Sequence, residues 1–278
     1  MRLRDITALL KSSDIDEPQK EAEELMCLLL NTDRTVIYLN DPSVDDEKII
    51  PLIRLRQQHQ PLAYIAGEVE FYGLRFTVGT GVLIPRPETE LLVEKAIERL
   101  SVLQKPSPNV LDLCTGSGCI ALSIARAYPH ANVIGIDISD KALGYAITNS
   151  TINNVHNVVF LNGDLFAPLK NLCFDLIISN PPYIARCDIQ ELQPEIRLYE
   201  PIDALDGGVD ALDFYRRIML KAKDYLSKDG LIMFELGDGQ AADVKEMALS
   251  AGFETVVIKK DYSQKDRFAI ISKSTDHK

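Results

Sequence analysis

The chain has 278 residues, of which 46% are hydrophobic and 26% charged, a composition typical of globular proteins. Its formal net charge of −11 argues against general nucleic-acid binding, because that affinity comes mainly from neutralised phosphates. No apolar run approaches a membrane span, the first residues lack a signal-peptide core, and the histidines and cysteines show no metal-ligand spacing, so we expect a cytoplasmic protein without a metal site or membrane partner.

Residues 1–66 are predicted to form a small helical domain. Apolar residues recur at helical spacing between residues 17 and 30 and again between residues 47 and 58, and no strand pattern interrupts them. Residues 67–90 form the next segment, in which residues 69–78 predict a hairpin around Gly73. Residues 81–90 read as a loop that leads into a helix over residues 91–100.

Residues 91–278 are predicted to form an α/β domain. Beyond residue 108, short apolar strands alternate with helices, which predicts a doubly wound, mainly parallel sheet. The expected strands cover 110–113, 132–137, 158–161, 174–179, 231–235, 255–258 and 267–271, and the expected helices reach to 127 and cover 141–153, 214–226 and 240–250. The last two strands are joined by a short link, which predicts an antiparallel edge.

A glycine loop follows the first of these strands. The run Asp112-Leu-Cys-Thr-Gly-Ser-Gly-Cys-Ile-Ala121 matches G-x-G-x-x-A at the start of a helix, and its glycines permit a tight turn close to a ligand. Asp137 ends the next strand about 25 residues later, where a ribose-binding acid is expected. An alternative role for Asp137, as the cap of the following helix, stays open.

The same loop pattern occurs in proteins that bind dinucleotides and in proteins that bind S-adenosylmethionine. Asp112 before the glycines would repel a pyrophosphate but can face a methionine ammonium. Asp164 follows the third strand and is placed to accept from an adenine amino group, with Leu165 or Phe166 packing on the ring. These features favour S-adenosylmethionine, and the predicted contacts are Asp112, Cys114, Thr115, Gly116, Ser117, Gly118, Asp137, Asp164, Leu165, Phe166 and Asn180.

The tetrapeptide Asn180-Pro181-Pro182-Tyr183 follows the apolar strand 174–179 and predicts a holder for a planar –NH2 group. The Asn180 side-chain carbonyl can accept one N–H and the Pro181 main-chain carbonyl the other, while Pro182 fixes the backbone. Tyr183 offers a flat face for packing against the acceptor. We therefore predict catalysis by orientation and electrostatics at Asn180, Pro181 and Tyr183, without a covalent intermediate.

The glycine loop, Asp137, Asp164 and the tetrapeptide together resemble class I S-adenosylmethionine-dependent methyltransferases, which have a Rossmann-like seven-stranded sheet. Further motifs are similar to those of the HemK-type release factor glutamine methyltransferases; they are G-E-V-E-F-Y-G at 67–73, V-L-I-P-R-P-E-T-E at 82–90, E-I-R-L-Y-E-P at 195–201 and A-L-D-G-G at 204–208. The resemblance covers nearly the whole chain. Cys114 departs from it, since the family usually has Gly there, and so does Leu165, where some members carry an aromatic residue.

The resemblance implies methylation of the glutamine side-chain amide in the Gly-Gly-Gln loop of peptide chain release factors. It implies that Asn180 to Tyr183 bind the glutamine, that the helical domain helps dock the release factor, and that Arg86 lies in a loop able to close over the substrate. Arg86 could instead pair with Glu88 or Glu90 at the surface, and Glu195 and Glu200 lie in an expected lid, contacting the partner or solvated.

Other functions remain open at this point. A ribosomal-protein glutamine methyltransferase would use the same chemistry on another partner. A DNA adenine amino-methyltransferase would need a basic recognition region, against which the net charge of −11 argues. A dinucleotide oxidoreductase would leave Asn180 to Tyr183 without a role, and a non-catalytic scaffold would leave both motifs unused.

Overall fold

The computed structural model describes residues 1–13, 15–103 and 105–273. The amino-terminal part is helical, as predicted, and its helices are α1 (Leu3–Lys11), α2 (Pro18–Leu30), α3 (Arg34–Asn40), α4 (Asp46–Gln57) and α5 (Leu62–Ala66). Their apolar faces share one core that includes Ile6, Leu25 and Ile49, each fully buried. The domain boundary at residue 66 remains a prediction.

A hairpin follows, as the sequence predicts. Strand β1 (Glu68–Phe71) pairs antiparallel with β2 (Leu74–Thr77). The two turn residues, Tyr72 and Gly73, have φ angles of +49° and +70°, the left-handed pair that matches the twist of a two-residue hairpin.

Helix α6 spans Pro87–Val102, so the predicted loop over 81–90 is wrong in its second half. Pro87 occupies the first turn, where its missing N–H costs nothing because that group has no helical partner. Thr89 is therefore helical, and its side chain is buried.

The strands that follow form a seven-stranded sheet, which confirms the predicted doubly wound α/β fold over the described residues. They are β3 (Asn109–Leu113), β4 (Asn132–Asp137), β5 (Val158–Asn162), β6 (Phe174–Ser179), β7 (Leu226–Glu235), β8 (Thr255–Lys260) and β9 (Asp266–Ser272). The spatial order is β5-β4-β3-β6-β7-β9-β8, with β9 antiparallel to both of its neighbours, which confirms the antiparallel edge. Strand β7 begins five positions before the predicted residue 231, so Asp229 and Gly230 lie inside it.

Helices cover both faces of the sheet, and the longer ones lie close to their predicted positions. They are α7 (Cys119–Ala127), α8 (Asp140–Ile152), α9 (Pro194–Tyr199), α10 (Asp213–Tyr225) and α11 (Ala241–Ser250). All six residues of β6 are buried, as expected for a central parallel strand packed on both faces.

The strand order reverses between β3 and β6, where a crevice opens at the carboxyl ends of the strands. The glycine loop follows β3, and Asn180 follows β6. The topology therefore brings the two sequence motifs to the same edge of the sheet. Among the helices that the structure describes, none is long and apolar enough to cross a membrane.

Candidate active site

A cavity lies at this reversal point. Its wall combines the glycine loop, the turns after β4 and β5, the tetrapeptide and the start of α6. The predicted residues on the wall are Arg86, Cys114, Thr115, Gly116, Ser117, Asp137, Asp164, Leu165, Asn180 and Pro182. Five others, Asp112, Gly118, Phe166, Pro181 and Tyr183, lie outside the wall that the described residues form, so the contact of the Pro181 main-chain oxygen with a substrate stays a prediction.

Asp137 ties the glycine loop to the next strand. Its Oδ2 accepts from the Gly116 N–H at 2.8 Å and its Oδ1 from the Ser139 N–H at 2.9 Å. Burial raises the pKa of Asp137, while these backbone N–H groups oppose that rise. Ser139 is the residue that caps α8, so the alternative role of Asp137 as the cap is wrong. Each carboxylate oxygen keeps a second lone pair with which to accept from a ribose hydroxyl.

Asp112 lies beneath the loop and is fully buried. Its Oδ2 accepts from the Thr115 hydroxyl at 2.6 Å and from the Ala121 N–H at 3.2 Å. Burial raises the pKa of this carboxyl to about 7. Among the described residues its Oδ1 has no hydrogen-bond partner. The geometry gives Asp112 a part in holding the loop, and its predicted contact with a methionine ammonium stays a prediction.

The loop fits the predicted cofactor. Gly116 has a φ of +56°, and no described atom lies within 4 Å of the place where a Cβ would be, so a ligand can approach its backbone. The buried Ser117 hydroxyl lines the cavity and has no partner among the described residues. With the Asp137 carboxylate, these groups offer polar contacts of the kind that a ribose and an amino-acid moiety require.

Cys114 adopts the left-handed conformation, with a φ of +59°. That conformation costs glycine least, which explains physically why a glycine is usual there in the family that the sequence resembles. Burial raises the pKa of the Cys114 thiol, and that of Cys119 to about 12. Both thiols are therefore protonated at neutral pH and are weak nucleophiles.

The Asp164 side chain has a partner that we did not predict from the sequence. Both of its carboxylate oxygens accept from Arg217 Nη2, at 2.6 and 2.5 Å, and Arg217 lies over the Phe214 ring. Leu165 lines the cavity, whereas Phe166 stacks on Tyr225 with ring centroids 4.7 Å apart. The geometry therefore favours Leu165 over Phe166 for the predicted ring contact.

A buried hydrogen-bond chain holds the tetrapeptide. Asn180 Nδ2 donates to Thr89 Oγ1 at 3.2 Å, and the Thr89 hydroxyl donates to Glu235 Oε2 at 2.7 Å. The Tyr183 hydroxyl donates to the other oxygen of Glu235 at 3.1 Å. Burial raises the pKa of Glu235. Tyr183 thus points its hydroxyl at Glu235, away from the cavity wall on which its face was predicted.

Gly207 backs the tetrapeptide from the other side. A Cβ on Gly207 would lie 2.9 Å from the Pro182 carbonyl oxygen and 2.9 Å from Tyr183 Cα. Both atoms belong to the backbone and cannot turn aside, so this position requires glycine.

Arg86 lies on the cavity wall and pairs with Glu200 at 2.5 Å. The predicted alternative, a surface pair with Glu88 or Glu90, is wrong. Burial raises the pKa of Glu200, although Arg86 opposes the shift. Glu195 pairs with the buried Arg56 of the helical part at 2.8 Å, so the two acids are neither free nor fully solvated.

Sequence reasoning missed several wall or support residues, among them Thr89, Phe214, Arg217 and Glu235. Thr89 lay in a segment interpreted as a loop. Glu235 was within reach of the sequence, because an acid at the carboxyl end of a buried parallel strand lies at the ligand-binding edge. Phe214 and Arg217 carried no local signal, since they face the cavity from one side of an ordinary amphipathic helix.

Comparison with known proteins identifies both parts of the chain. Residues 104–269 match the methyltransferase domain family, and residues 2–67 match the PrmC N-terminal domain family. A release factor glutamine methyltransferase of Thermodesulfovibrio yellowstonii is 46% identical over 92% of each chain. Another, from Geobacter sulfurreducens, is 43% identical over 88% of this chain and 86% of its own.

Solved structures agree on the fold. A methyltransferase from Pyrococcus furiosus superposes with a TM-score of 0.55 at 20% identity, covering 73% of this chain and 91% of its own.

The matches confirm the predicted enzyme class and S-adenosylmethionine as its cofactor. Among the described residues there is no group of three or more His, Cys, Asp or Glu side chains able to hold a metal ion. The identity to these relatives, over most of both chains, shows that the chain belongs to the release factor glutamine methyltransferase family.

Proposed function

We propose that this protein transfers a methyl group from S-adenosylmethionine to the side-chain amide nitrogen of the glutamine in the Gly-Gly-Gln loop of peptide chain release factors. The observation that carries the proposal is the orientation of Asn180 at the carboxyl end of β6. Its amide nitrogen is engaged by Thr89, which leaves its carbonyl oxygen as the group available to a substrate N–H.

An amide nitrogen is a poor nucleophile, because its lone pair is delocalised into the carbonyl group. The Asn180 side-chain oxygen and the Pro181 main-chain oxygen would accept the two N–H groups and aim the nitrogen lone pair at the methyl carbon. Positioning of this kind contributes roughly 7–11 kcal/mol to lowering a barrier. A strong general base is not required before transfer.

The bound cofactor supplies an electrophilic methyl group on a sulfonium. The acceptor nitrogen would take the methyl group while the sulfonium leaves as a neutral thioether, and the methylated nitrogen would release one proton to water. On the donor side, Asp137 would hold the ribose, and the glycine loop would admit the amino-acid moiety close to its backbone. Leu165 would pack on the adenine and Asp164 would accept from its amino group.

The helical part is suited to docking the protein partner. Some of its contacts to the catalytic part run through α9, where Arg56 bonds to Glu195 and the Tyr199 hydroxyl donates to the Gln58 carbonyl oxygen at 2.7 Å. Pro201, Asp203 and Ala204, which follow α9 directly, lie on the cavity wall. A partner bound to the helical part would thus lie next to the cavity mouth.

Methyl-labelled S-adenosylmethionine tests the proposal. Incubation with a purified release factor should label one peptide, and mass spectrometry should place the added methyl on the glutamine of its Gly-Gly-Gln loop. Ribosomal proteins and duplex DNA serve as the competing acceptors. Label on either of them, with none on the release factor, would overturn the proposal.

A release factor carrying Glu at that glutamine is the matched control, because it keeps the loop but lacks the acceptor nitrogen. It should take no label under the same conditions.

A further inference from the structure

The hydrogen-bond chain behind Asn180 has a fixed direction. Glu235 is 1% exposed and receives two hydroxyl donors, Thr89 on one oxygen and Tyr183 on the other. An ionised carboxylate can only accept hydrogen bonds, so the Thr89 proton is committed to Glu235. The Thr89 oxygen can therefore only accept a hydrogen bond from Asn180. The Asn180 group that donates this bond must be the amide –NH2.

The direction of the chain decides which end of the Asn180 amide faces the substrate. An asparagine side chain carries an acceptor and a donor of nearly equal size, and a rotation of about 180° exchanges them. With its Nδ2 engaged by Thr89, the described side chain turns its Oδ1 the other way, and no described residue donates to that oxygen. The opposite orientation would place the carbonyl oxygen against the Thr89 oxygen, two acceptors in contact.

The other groups around Glu235 keep the arrangement in place. Burial raises the pKa of Glu235, and the Thr89 and Tyr183 hydroxyls oppose that rise by donating to the ionised form. The positive charge of Arg267 on β9 also favours the ionised form, whereas the negative charge of Glu88 on α6 opposes it. The Tyr215 hydroxyl of α10 donates to the Glu235 main-chain oxygen at 2.8 Å. The Thr89 and Tyr183 hydroxyls therefore hold the carboxylate itself, and Tyr215 fixes the main chain of Glu235 at the end of β7.

We propose that Thr89 and Glu235 are positioning residues that lock Asn180 with its carbonyl oxygen toward the substrate, and that this lock makes the site select an amide over a carboxylate. A glutamine presents two N–H donors to the pair of carbonyl acceptors at Asn180 and Pro181. A glutamate presents only oxygens and meets two unpaired acceptors. If Asn180 could rotate, its –NH2 would face the substrate and a carboxylate would be tolerated.

This inference rests on the proposed function, since it assumes an amide acceptor. The test compares three proteins, the wild type, Thr89→Val and Thr89→Ser. Val keeps the shape of Thr and removes the hydroxyl, while Ser keeps the hydroxyl. For each protein we would measure turnover on a Gly-Gly-Gln release factor, inhibition by its Gly-Gly-Glu variant, and affinity for S-adenosylmethionine.

In Thr89→Val, we expect the preference for the Gln form over the Glu form to fall by roughly tenfold or more. The reason is that the hydrogen bond to Thr89 distinguishes the two orientations of the Asn180 amide. Turnover should fall with it, while cofactor affinity stays near that of the wild type. Thr89→Ser should restore the preference to within about threefold of the wild type. Thr148→Val is a matched control, because the Thr148 hydroxyl bonds only to its own helix and is exposed.

Glu235→Gln gives a second test that leaves the Thr89 side chain in place. A glutamine there can donate as well as accept, so it no longer dictates the direction of the Thr89 hydroxyl. The preference for Gln should fall again, with the protein still folded by circular dichroism.

Unchanged preference in both Thr89→Val and Glu235→Gln would overturn the inference, and so would a loss of cofactor affinity equal to the loss of preference. Failure of the wild type to label the release factor at all would instead refute the proposed function.

Discussion

The two sides of the cavity are held in different ways. On the proposed acceptor side, Asn180 is fixed by a chain of side chains in which Thr89 and Glu235 are each 1% exposed. On the donor side, Asp137 is bonded to backbone N–H groups, and the Asp164–Arg217 pair is 49% and 46% exposed at its side chains. Buried polar chains are rigid because an unpaired member is costly, whereas exposed ion pairs contribute little and move easily.

The difference follows the demands of the reaction. The acceptor nitrogen must be oriented before it can react, which is the reason we propose for a preformed holder at Asn180. The adenine end of a cofactor only needs to bind, and we propose that the exposed pair of Asp164 and Arg217 suffices there. Substitutions on the acceptor side should therefore affect turnover, and those on the donor side should affect cofactor affinity.

Asn180→Ala breaks the acceptor side most directly. We expect turnover on the release factor to fall by roughly 10²–10³-fold, the usual loss when one preorganised hydrogen-bonding group is removed from an active site. The Kd for S-adenosylmethionine, measured by calorimetry, should change far less. Full turnover in this variant would show that the tetrapeptide does not hold the acceptor.

Asp137→Ala removes the carboxylate that we propose to bind the ribose of the cofactor. Losing hydrogen bonds from a charged group costs about 1.5–3 kcal/mol, which predicts a Kd for S-adenosylmethionine raised by roughly 10- to 100-fold. Turnover at saturating cofactor should be affected much less. An unchanged Kd would remove Asp137 from the cofactor site.

The pH dependence of the unfolding free energy, compared between the wild type and Asp112→Asn, tests the role of Asp112 beneath the glycine loop. Because the folded pKa of Asp112 is raised to about 7, the folded state binds more protons than the unfolded state above the unfolded pKa. Stability from this group is thus present at low pH and is lost as pH rises from about 4 to about 7.

In Asp112→Asn, the slope of unfolding free energy against pH should become less negative in that window, by up to about 1.4 kcal/mol per pH unit. Urea unfolding at several pH values measures it. Equal slopes in the wild type and the variant would mean that Asp112 is ionised throughout.

The smallest expected effect is at Cys114. Gly adopts the left-handed conformation without strain, which stabilises the folded state, but it also gives the unfolded chain more conformational freedom. Because the two effects oppose each other, the unfolding free energy should change by less than about 1 kcal/mol. Cys114→Val places a β-branched residue in the same conformation and should cost about 1–2 kcal/mol. Equal stability of the Val variant and the wild type would argue against strain at this position.

Much of the fold and many of the residues on the cavity wall could be predicted from the sequence. Strand β6 is a mostly apolar run and β4 ends in Asp137, and the predicted bounds of both strands were correct. The start of α6 was missed, because Pro87 suits a loop and a first helical turn equally well. The partners of Asn180 were also missed, since Thr89 and Glu235 are 146 positions apart and meet only through packing of α6 on β7.

A crystal structure with S-adenosylhomocysteine and a Gly-Gly-Gln release factor would show directly how the glutamine side chain is held. We predict that the glutamine amide nitrogen lies within about 3 Å of both Asn180 Oδ1 and the Pro181 carbonyl oxygen, with Asn180 Nδ2 still on Thr89. A glutamine whose nitrogen lies away from both oxygens, or that meets Asn180 through its Nδ2, would contradict the account.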